Sequence, residues 1–277
     1  MSVRQDFTGE FIGTFILVFF GCGSVATTVL FSAHMGLFQV AMVWGLGVTL
    51  AIYATRHLSC AHLNPAVSLA MVVARRMSAR RLPAYLSAQF AGAFVAAAVL
   101  YLLFSPSIAQ FELLHGITRG SAESTTTAMM FGEFFPNPGA GAAAAVSMPL
   151  AFLAEAIGTF ALVFLIFSLT EGCNLGRPDD ALAPLFIGMS VTLIISILAP
   201  LTQAGLNPAR DLSPRLFSML AGWGTAALPD RSLGFLVVYV LGPIAGGCAA
   251  ALVFSRLVEP LMNGKALPDC LCKDENR

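Results

Sequence analysis

Charged residues are missing from five long tracts of this chain and all but missing from a sixth, and the tracts share one length scale. Residues 11–31, 35–55, 82–104, 181–201 and 232–255 hold no Asp, Glu, Lys or Arg, and 149–170 is broken only by Glu155. A helix needs about 20 residues to cross a hydrocarbon core about 30 Å thick, and every tract reaches that length. The strict alternation of a membrane barrel is absent, and an open sheet would leave backbone groups unpaired in lipid. The pattern predicts six transmembrane α-helices. The first tract is too long for a signal-peptide core, has only Arg4 ahead of it and lacks a small-residue cleavage site, so it is read as retained helix one.

Composition narrows the class. Of 277 residues, 57% are hydrophobic and 11% charged, against about 25% charged in a soluble domain. The mean hydropathy is +0.80. Fifteen basic and fifteen acidic residues leave no net charge. That excludes an electrostatic nucleic-acid binder, which needs a basic patch. Twenty-two phenylalanines argue against disorder. The solvent this chain is built for is a lipid bilayer.

Basic residues set an orientation. Arg75, Arg76, Arg80 and Arg81 cluster between spans two and three, and Arg4, Arg56, Arg177, Arg256, Lys265, Lys273 and Arg277 share their side if the spans alternate. Arg119, Arg210, Arg215 and Arg231 fall opposite. Both termini are therefore expected on the cytoplasmic side, as in a plasma (inner) membrane protein. Cys22 and Cys248 lie within spans and read as small packing residues. Cys60 and Cys173 fall near the cytoplasmic side, and Cys270 and Cys272, with no nearby His, read as a reduced tail rather than a metal site.

The chain also repeats itself. Glu10-Phe-Ile-Gly-Thr-Phe recurs as Glu155-Ala-Ile-Gly-Thr-Phe at an offset of 145, and Asn64-Pro65-Ala66 recurs as Asn207-Pro208-Ala209 at an offset of 143. Each copy carries three spans, an odd number, so the second enters the membrane from the opposite face. The first repeat is assigned to 1–130 and the second to 149–277, with a short cytoplasmic tail. Inverted repeats place a solute path at their interface near the midplane. The stretch 105–148 is expected as an extracellular connector. Within it, Phe131–Pro138 reads as a folded turn over the pore mouth, while 116–128 reads equally well as a loose linker.

Each Asn-Pro-Ala opens a short helical pattern, assigned to 65–75 and 208–220. About ten residues at about 1.5 Å each span half the membrane, so both are re-entrant half-helices. Pro65 and Pro208 suit a first helical turn, and Asn64 and Asn207 suit the N-cap before it. Inversion brings the two N-termini tip to tip, each carrying about half a positive charge. Cations are repelled there, and the Asn amides donate to a passing oxygen, which fixes a water's orientation and disfavours proton hopping. Backbone that is not helical at this depth must line a wet cavity. The carbonyls of 58–63 and 201–206 are expected to form one wall of it.

Over essentially its whole length the sequence resembles the major intrinsic protein family, the aquaporins and glycerol facilitators. The resemblance rests on GEFIGTFILVFFGCGS (9–24), AHLNPAVSLA (61–70), AQFAGA (88–93), AEAIGTF (154–160), LNPARD (206–211) and GPIAGG (242–247). It implies an all-α membrane protein of six transmembrane helices and two half-helices, with one pore per protomer in a homotetramer. Carried over position by position, it places a selectivity filter at Trp44, Ile195, Ala204 and Arg210. It also assigns Glu10 and Glu155 as scaffolds that accept bonds from the re-entrant loops, and His62 to the pore wall. Gly13, Gly92, Gly158 and Gly246 read as close helix contacts.

Trp44 offers a flat apolar wall and Arg210 a fork of donors, a pair suited to a solute with hydroxyls along one edge and carbon along the other. Ile195 stands where water-selective relatives carry His, and Ala204 leaves space. Asp211 and Arg215 follow the glycerol-facilitator pattern, and Asp211 is expected to neutralise both arginines and widen the mouth. Two positions depart from that pattern. The filter lacks its Gly and Phe, having Ile195 and Ala204 instead, and helix six carries Tyr239-Val240 in place of Pro-Leu. The quartet resembles nodulin-like intrinsic proteins, linked to glycerol, ammonia and metalloid acids.

The function expected is a passive channel for glycerol, water and similar small neutral solutes, without cofactor. A secondary transporter is the rival, since it too uses inverted repeats with broken helices, and Glu10 and Glu155 are its only intramembrane carboxylates. No nucleophile–base pair or metal cluster points to an enzyme.

Overall fold

The computed structural model describes residues 2–143, 145–229 and 232–262. Six helices among them are long and apolar enough to cross a membrane. In chain order the elements are α1 (Val3–Phe31), α2 (Leu37–Thr55), the half-helix α3 (Pro65–Val73) and α4 (Leu82–Leu114). The second half repeats the order with α5 (Met148–Thr170), α6 (Ala183–Thr202), the half-helix α7 (Pro208–Ser218) and α8 (Gly234–Met262). Cys270, Cys272, Arg231 and the basic residues beyond Met262 lie outside the described residues.

The packing is that of two inverted repeats. α1 packs on α2 and α4, and its counterpart α5 on α6 and α8; the half-helices are exchanged, α3 lying against α8 and α7 against α4. Small residues bring these pairs together, as lipid-embedded helices require. A Cβ on Gly92 would run into the Phe11 carbonyl, and one on Gly246 into that of Ala156, the equivalent contact of the other repeat. Where α2 crosses α6, Gly45 and Gly188 face each other and the Thr49 and Thr192 hydroxyls fill the space beside them. Gly13 and Gly158 make room for a neighbouring helix and a re-entrant loop together: Gly13 meets Thr55 of α2 and Leu63, and Gly158 meets Leu198 of α6 and Leu206.

Several boundaries differ from the sequence reading. The connector begins after Leu114, because α4 continues through Pro106 for a further ten residues. Proline deletes a helical hydrogen bond, but burial of Ile108 and Glu112 holds this extension to the rest of the fold. The stretch 116–128 is folded: Thr127 donates to Glu112 (2.8 Å) and accepts from the Trp223 indole (2.9 Å). Arg119 closes this corner by pairing with Glu112 and stacking on Trp223. α3 stops at Val73, since Arg75 takes a left-handed conformation, and α7 stops at Ser218 and passes into a wider turn.

Candidate functional site

Both half-helices start where their sequence places an amide cap. Asn64 Oδ1 accepts from Ala66 N–H (2.9 Å), and Asn207 Oδ1 accepts from Ala209 N–H (3.1 Å) and Arg210 N–H (3.3 Å). Pro65 and Pro208 occupy the first turn, where no N–H is needed. The amide nitrogens reach across to the other repeat. Asn64 Nδ2 donates to the Leu206 carbonyl (2.9 Å) and Asn207 Nδ2 to the Leu63 carbonyl (2.8 Å). These reciprocal bonds pin the half-helices tip to tip. One N–H of each amide is spent on them, which leaves one free rather than two.

The loops leading into the caps follow one plan. Ala61, Leu63, Ala204 and Leu206 all have positive φ, between 50° and 59°. Such a conformation costs a non-glycine residue about 1–3 kcal/mol and needs support from its surroundings. The support is a buried carboxylate in each repeat. Glu10 accepts from Ser59 Oγ–H (2.8 Å), His62 N–H (2.9 Å), Leu63 N–H (2.7 Å) and the Gln89 amide (2.7 Å). Glu155 accepts from Thr202 Oγ1–H (2.6 Å), Gly205 N–H (2.9 Å) and Leu206 N–H (2.7 Å). The helix-six departure Tyr239 joins this frame, its hydroxyl donating to the Thr202 carbonyl (3.0 Å).

A cavity of about 400 Å³ threads between the repeats. One wall is polar: the 60–64 and 204–207 loops, including His62, Asn64 and Asn207. His62 Nδ1 lies 3.2 Å from Ser68 Oγ and its ring rests on Tyr85. The other wall is carbon, from Trp44, Val48 and Ile52 on α2 and Ile187, Val191 and Ile195 on α6, spaced at four-residue steps so that one helical face lines the path. At one end stand Arg56, Arg76, Thr170 and Asp180; towards the other stand Trp44, Ile195, Ala204 and Arg210.

Those last four residues are brought together. The Arg210 guanidinium lies 4.2 Å from the centroid of the Trp44 ring, a cation–π arrangement. Trp44 fits only because position 21 is glycine: a Cβ there would overlap its six-membered ring. Asp211 lends its charge to Arg210 but of the two arginines bonds only Arg215. It accepts from Arg215 Nε (3.0 Å), while Arg210 forms its ion pair with Glu133 from the connector. Asp211 also accepts from Glu133 N–H (2.8 Å), so it anchors the connector to α7. Arg215 is fully buried, donating to the Ala227 carbonyl (2.6 Å) and lying over Phe235.

Gly21, Glu133, Ser59, Thr202 and Gln89 were not among the residues singled out from sequence. Glu133 had the clearest signal, a lone acid between Gly132 and Phe134 in an aromatic run. Ser59 and Thr202 share the offset of 143, yet Ser and Thr are too common for that alone to be informative.

Two three-helix repeats of opposite sense, two half-helices capped against each other and a continuous polar-to-apolar lumen define a membrane channel. The chain belongs to the major intrinsic protein family, whose model matches residues 1–254. It is 41% identical over 260 residues to the glycerol uptake facilitator protein of Pseudomonas aeruginosa, covering 94% of this chain and 90% of that one. It is 38% identical over 277 residues to the propanediol uptake facilitator PduF of Citrobacter freundii, covering 99% and 98%. The X-ray structure of the aquaglyceroporin from Plasmodium falciparum superposes with a TM-score of 0.80 at 26% identity, covering 94% of this chain and 99% of that one.

Proposed function

We propose that the protein is a passive channel for glycerol and similar small neutral polyols, with water alongside, and that Trp44, Ile195, Ala204 and Arg210 form its constriction. The observation that carries this reading is the two-faced lumen. The 60–64 and 204–207 loops with their two asparagines, and Arg210, line one side, and aliphatic carbon with one indole lines the other. A polyol sheds water from its hydroxyls and regains hydrogen bonds on the polar wall, while its carbon edge stays against apolar side chains. An inorganic cation finds no compensating charge at the half-helix tips, where both positive dipole ends converge.

Glu10 and Glu155 act here as scaffold. Each faces donors fixed by the fold, which leaves little capacity to load and release a coupling proton. The relatives named for glycerol and propanediol uptake support the solute class. Because Ile195 and Ala204 add no donor, the filter accepts a diol that presents a methyl group in place of one hydroxyl. The cluster of arginines between α3 and α4 supports an orientation with both termini cytoplasmic, and the family resemblance supports a homotetramer in the plasma (inner) membrane.

The test is a stopped-flow panel of glycerol, propane-1,2-diol, urea and water on purified protein in liposomes. Glycerol and propanediol are expected to cross faster than in protein-free liposomes. Ile195→His combined with Ala204→Cys is expected to lower glycerol flux more than water flux. Equal losses of both would move the constriction elsewhere.

A further inference from the structure

We infer that Arg76 forms a second solute subsite, one that takes the hydroxyl groups of a neutral polyol at the end of the lumen remote from the proposed constriction. The inference rests on the polyol channel proposed above. Arg76 borders the cavity just beyond α3. The helix stops at Val73, Arg75 takes a positive φ of 59°, and Arg76 N–H donates back to the Met71 carbonyl (2.8 Å). That turn carries the side chain away from its own half-helix to the ends of α5 and α8, where it meets Glu171 and Glu259.

The guanidinium is gripped but only partly used. Its centre lies 4.5 Å from the Phe167 ring and 5.4 Å from the Phe254 ring, and those two rings meet edge to face. Nη2 alone serves both carboxylates, donating to Glu171 Oε2 and to Glu259 Oε2 (3.0 Å for the second). Two of the five N–H groups are spent in this way. Among the described residues no acceptor meets the three on Nε and Nη1. The side chain keeps 22% exposure, so these donors stay open while ion pairs and rings fix their direction.

A hydroxyl group needs an acceptor as well as a donor, and this end of the lumen supplies both. Thr170, next in sequence to Glu171, lines it; its own hydrogen goes to the Ile166 carbonyl (2.7 Å), which leaves the hydroxyl oxygen to accept. Glu259 Oε1 accepts from no described residue. Ile166 and Met71 add carbon to the same lining. Charge decides the class of ligand. Arg76 already faces two carboxylates, so an anion on it would meet an excess of negative charge, a juxtaposition that discriminates against such partners. Arg56, also at this end, is accompanied by Asp180, whose carbonyl it bonds (2.8 Å). A neutral hydroxyl oxygen takes the free N–H groups without adding charge.

The experiment follows tracer glycerol exchange at equilibrium across liposomes that hold the full-length channel at measured copy number, with total glycerol raised stepwise. A subsite that solute occupies makes exchange saturate, and the half-saturating concentration reports its occupancy. Arg76→Lys keeps a cation for Glu171 and Glu259 but removes the planar fork. Its half-saturation is expected to rise about threefold, the scale of one lost hydrogen bond, with maximal exchange changed much less. Thr170→Val leaves the ion pairs intact and is expected to raise half-saturation about twofold at an unchanged melting temperature. A role in folding alone would cut the number of working channels, and so the maximal exchange, and leave half-saturation where it was. That result in Arg76→Lys overturns the inference, as does parental exchange that never saturates. Slowing of parental exchange by inorganic phosphate would make this an anion site and overturns it equally. A parent that exchanges no glycerol refutes the polyol channel itself, a failure distinct from an unmoved half-saturation in a conducting one.

Discussion

At the scale of single residues, the proposed filter depends on a position with no side chain. Gly21 sits in α1 with the Trp44 ring pressed against it. Alanine normally gains about 0.5–1 kcal/mol over glycine inside a helix. Here the added methyl must displace an indole that already touches Arg210, and overpacking of this kind costs about 1–3 kcal/mol. Gly21→Ala is therefore expected to lower thermal stability and to push Trp44 into the lumen. Glycerol permeability per channel should drop about tenfold, equivalent to about 1.4 kcal/mol in the barrier. Water permeability should fall much less. An unaltered glycerol rate in the stopped-flow assay would show that Trp44 does not border the narrowest point.

At the scale of elements, the end of the cavity opposite the proposed filter is bordered by a clasp of side chains. Arg76, just beyond α3, pairs with Glu171 at the end of α5 and with Glu259 in α8, and stacks on Phe167 and Phe254. It ties the half-helix of the first repeat to two helices of the second. Partial burial pushes the Glu171 carboxyl up, but the Cys173 N–H and the Arg76 guanidinium outweigh it and leave the group below its ordinary value of 4.5. A carboxyl that ionises more readily when folded stabilises the fold above that ordinary value. The contribution disappears as pH falls through the depressed one. The melting-temperature gap between the parent and Glu171→Gln in detergent is expected to be widest at neutral pH and to close below pH 4.5. A gap that widens on acidification would contradict the sign.

At the scale of the whole molecule, a channel and a transporter of the same symmetry differ in whether anything must move. In this fold the half-helix tips are cross-bonded between repeats, and the loops behind them hang from Glu10 and Glu155. Rocking one repeat against the other would break both amide bridges and both carboxylate anchors at once. Flux is therefore expected to follow the solute gradient alone. Glycerol entry into liposomes should be the same with ion gradients imposed or collapsed, and the same preparation should run as a particle of four protomers. Dependence on a proton or sodium gradient would reinstate the transporter.

Much of this was legible in the sequence, for identifiable reasons. Hydrocarbon thickness sets a length for charge-free tracts, and an odd number of spans in a duplicated unit forces inversion; neither argument needs coordinates. The Asn-Pro caps are equally local, since capping is settled within three residues. Trp44, Ile195, Ala204 and Arg210 required a resemblance, because they lie on three separate segments of chain. The partner of Arg210 was out of reach of spacing altogether. Asp211 is adjacent in sequence and Glu133 is 77 residues away, yet the backbone turns Asp211 toward Arg215 and brings the connector to Arg210. Likewise, one N–H of each pore asparagine is committed across the repeat interface, which no single repeat can reveal. The sequence by itself determined what the chain dissolves in, how often it crosses and where it folds back, because these follow from local chemistry against a solvent of fixed thickness. Only the tertiary structure decided which buried charge answers which, because that depends on where rigid segments distant along the chain come to rest.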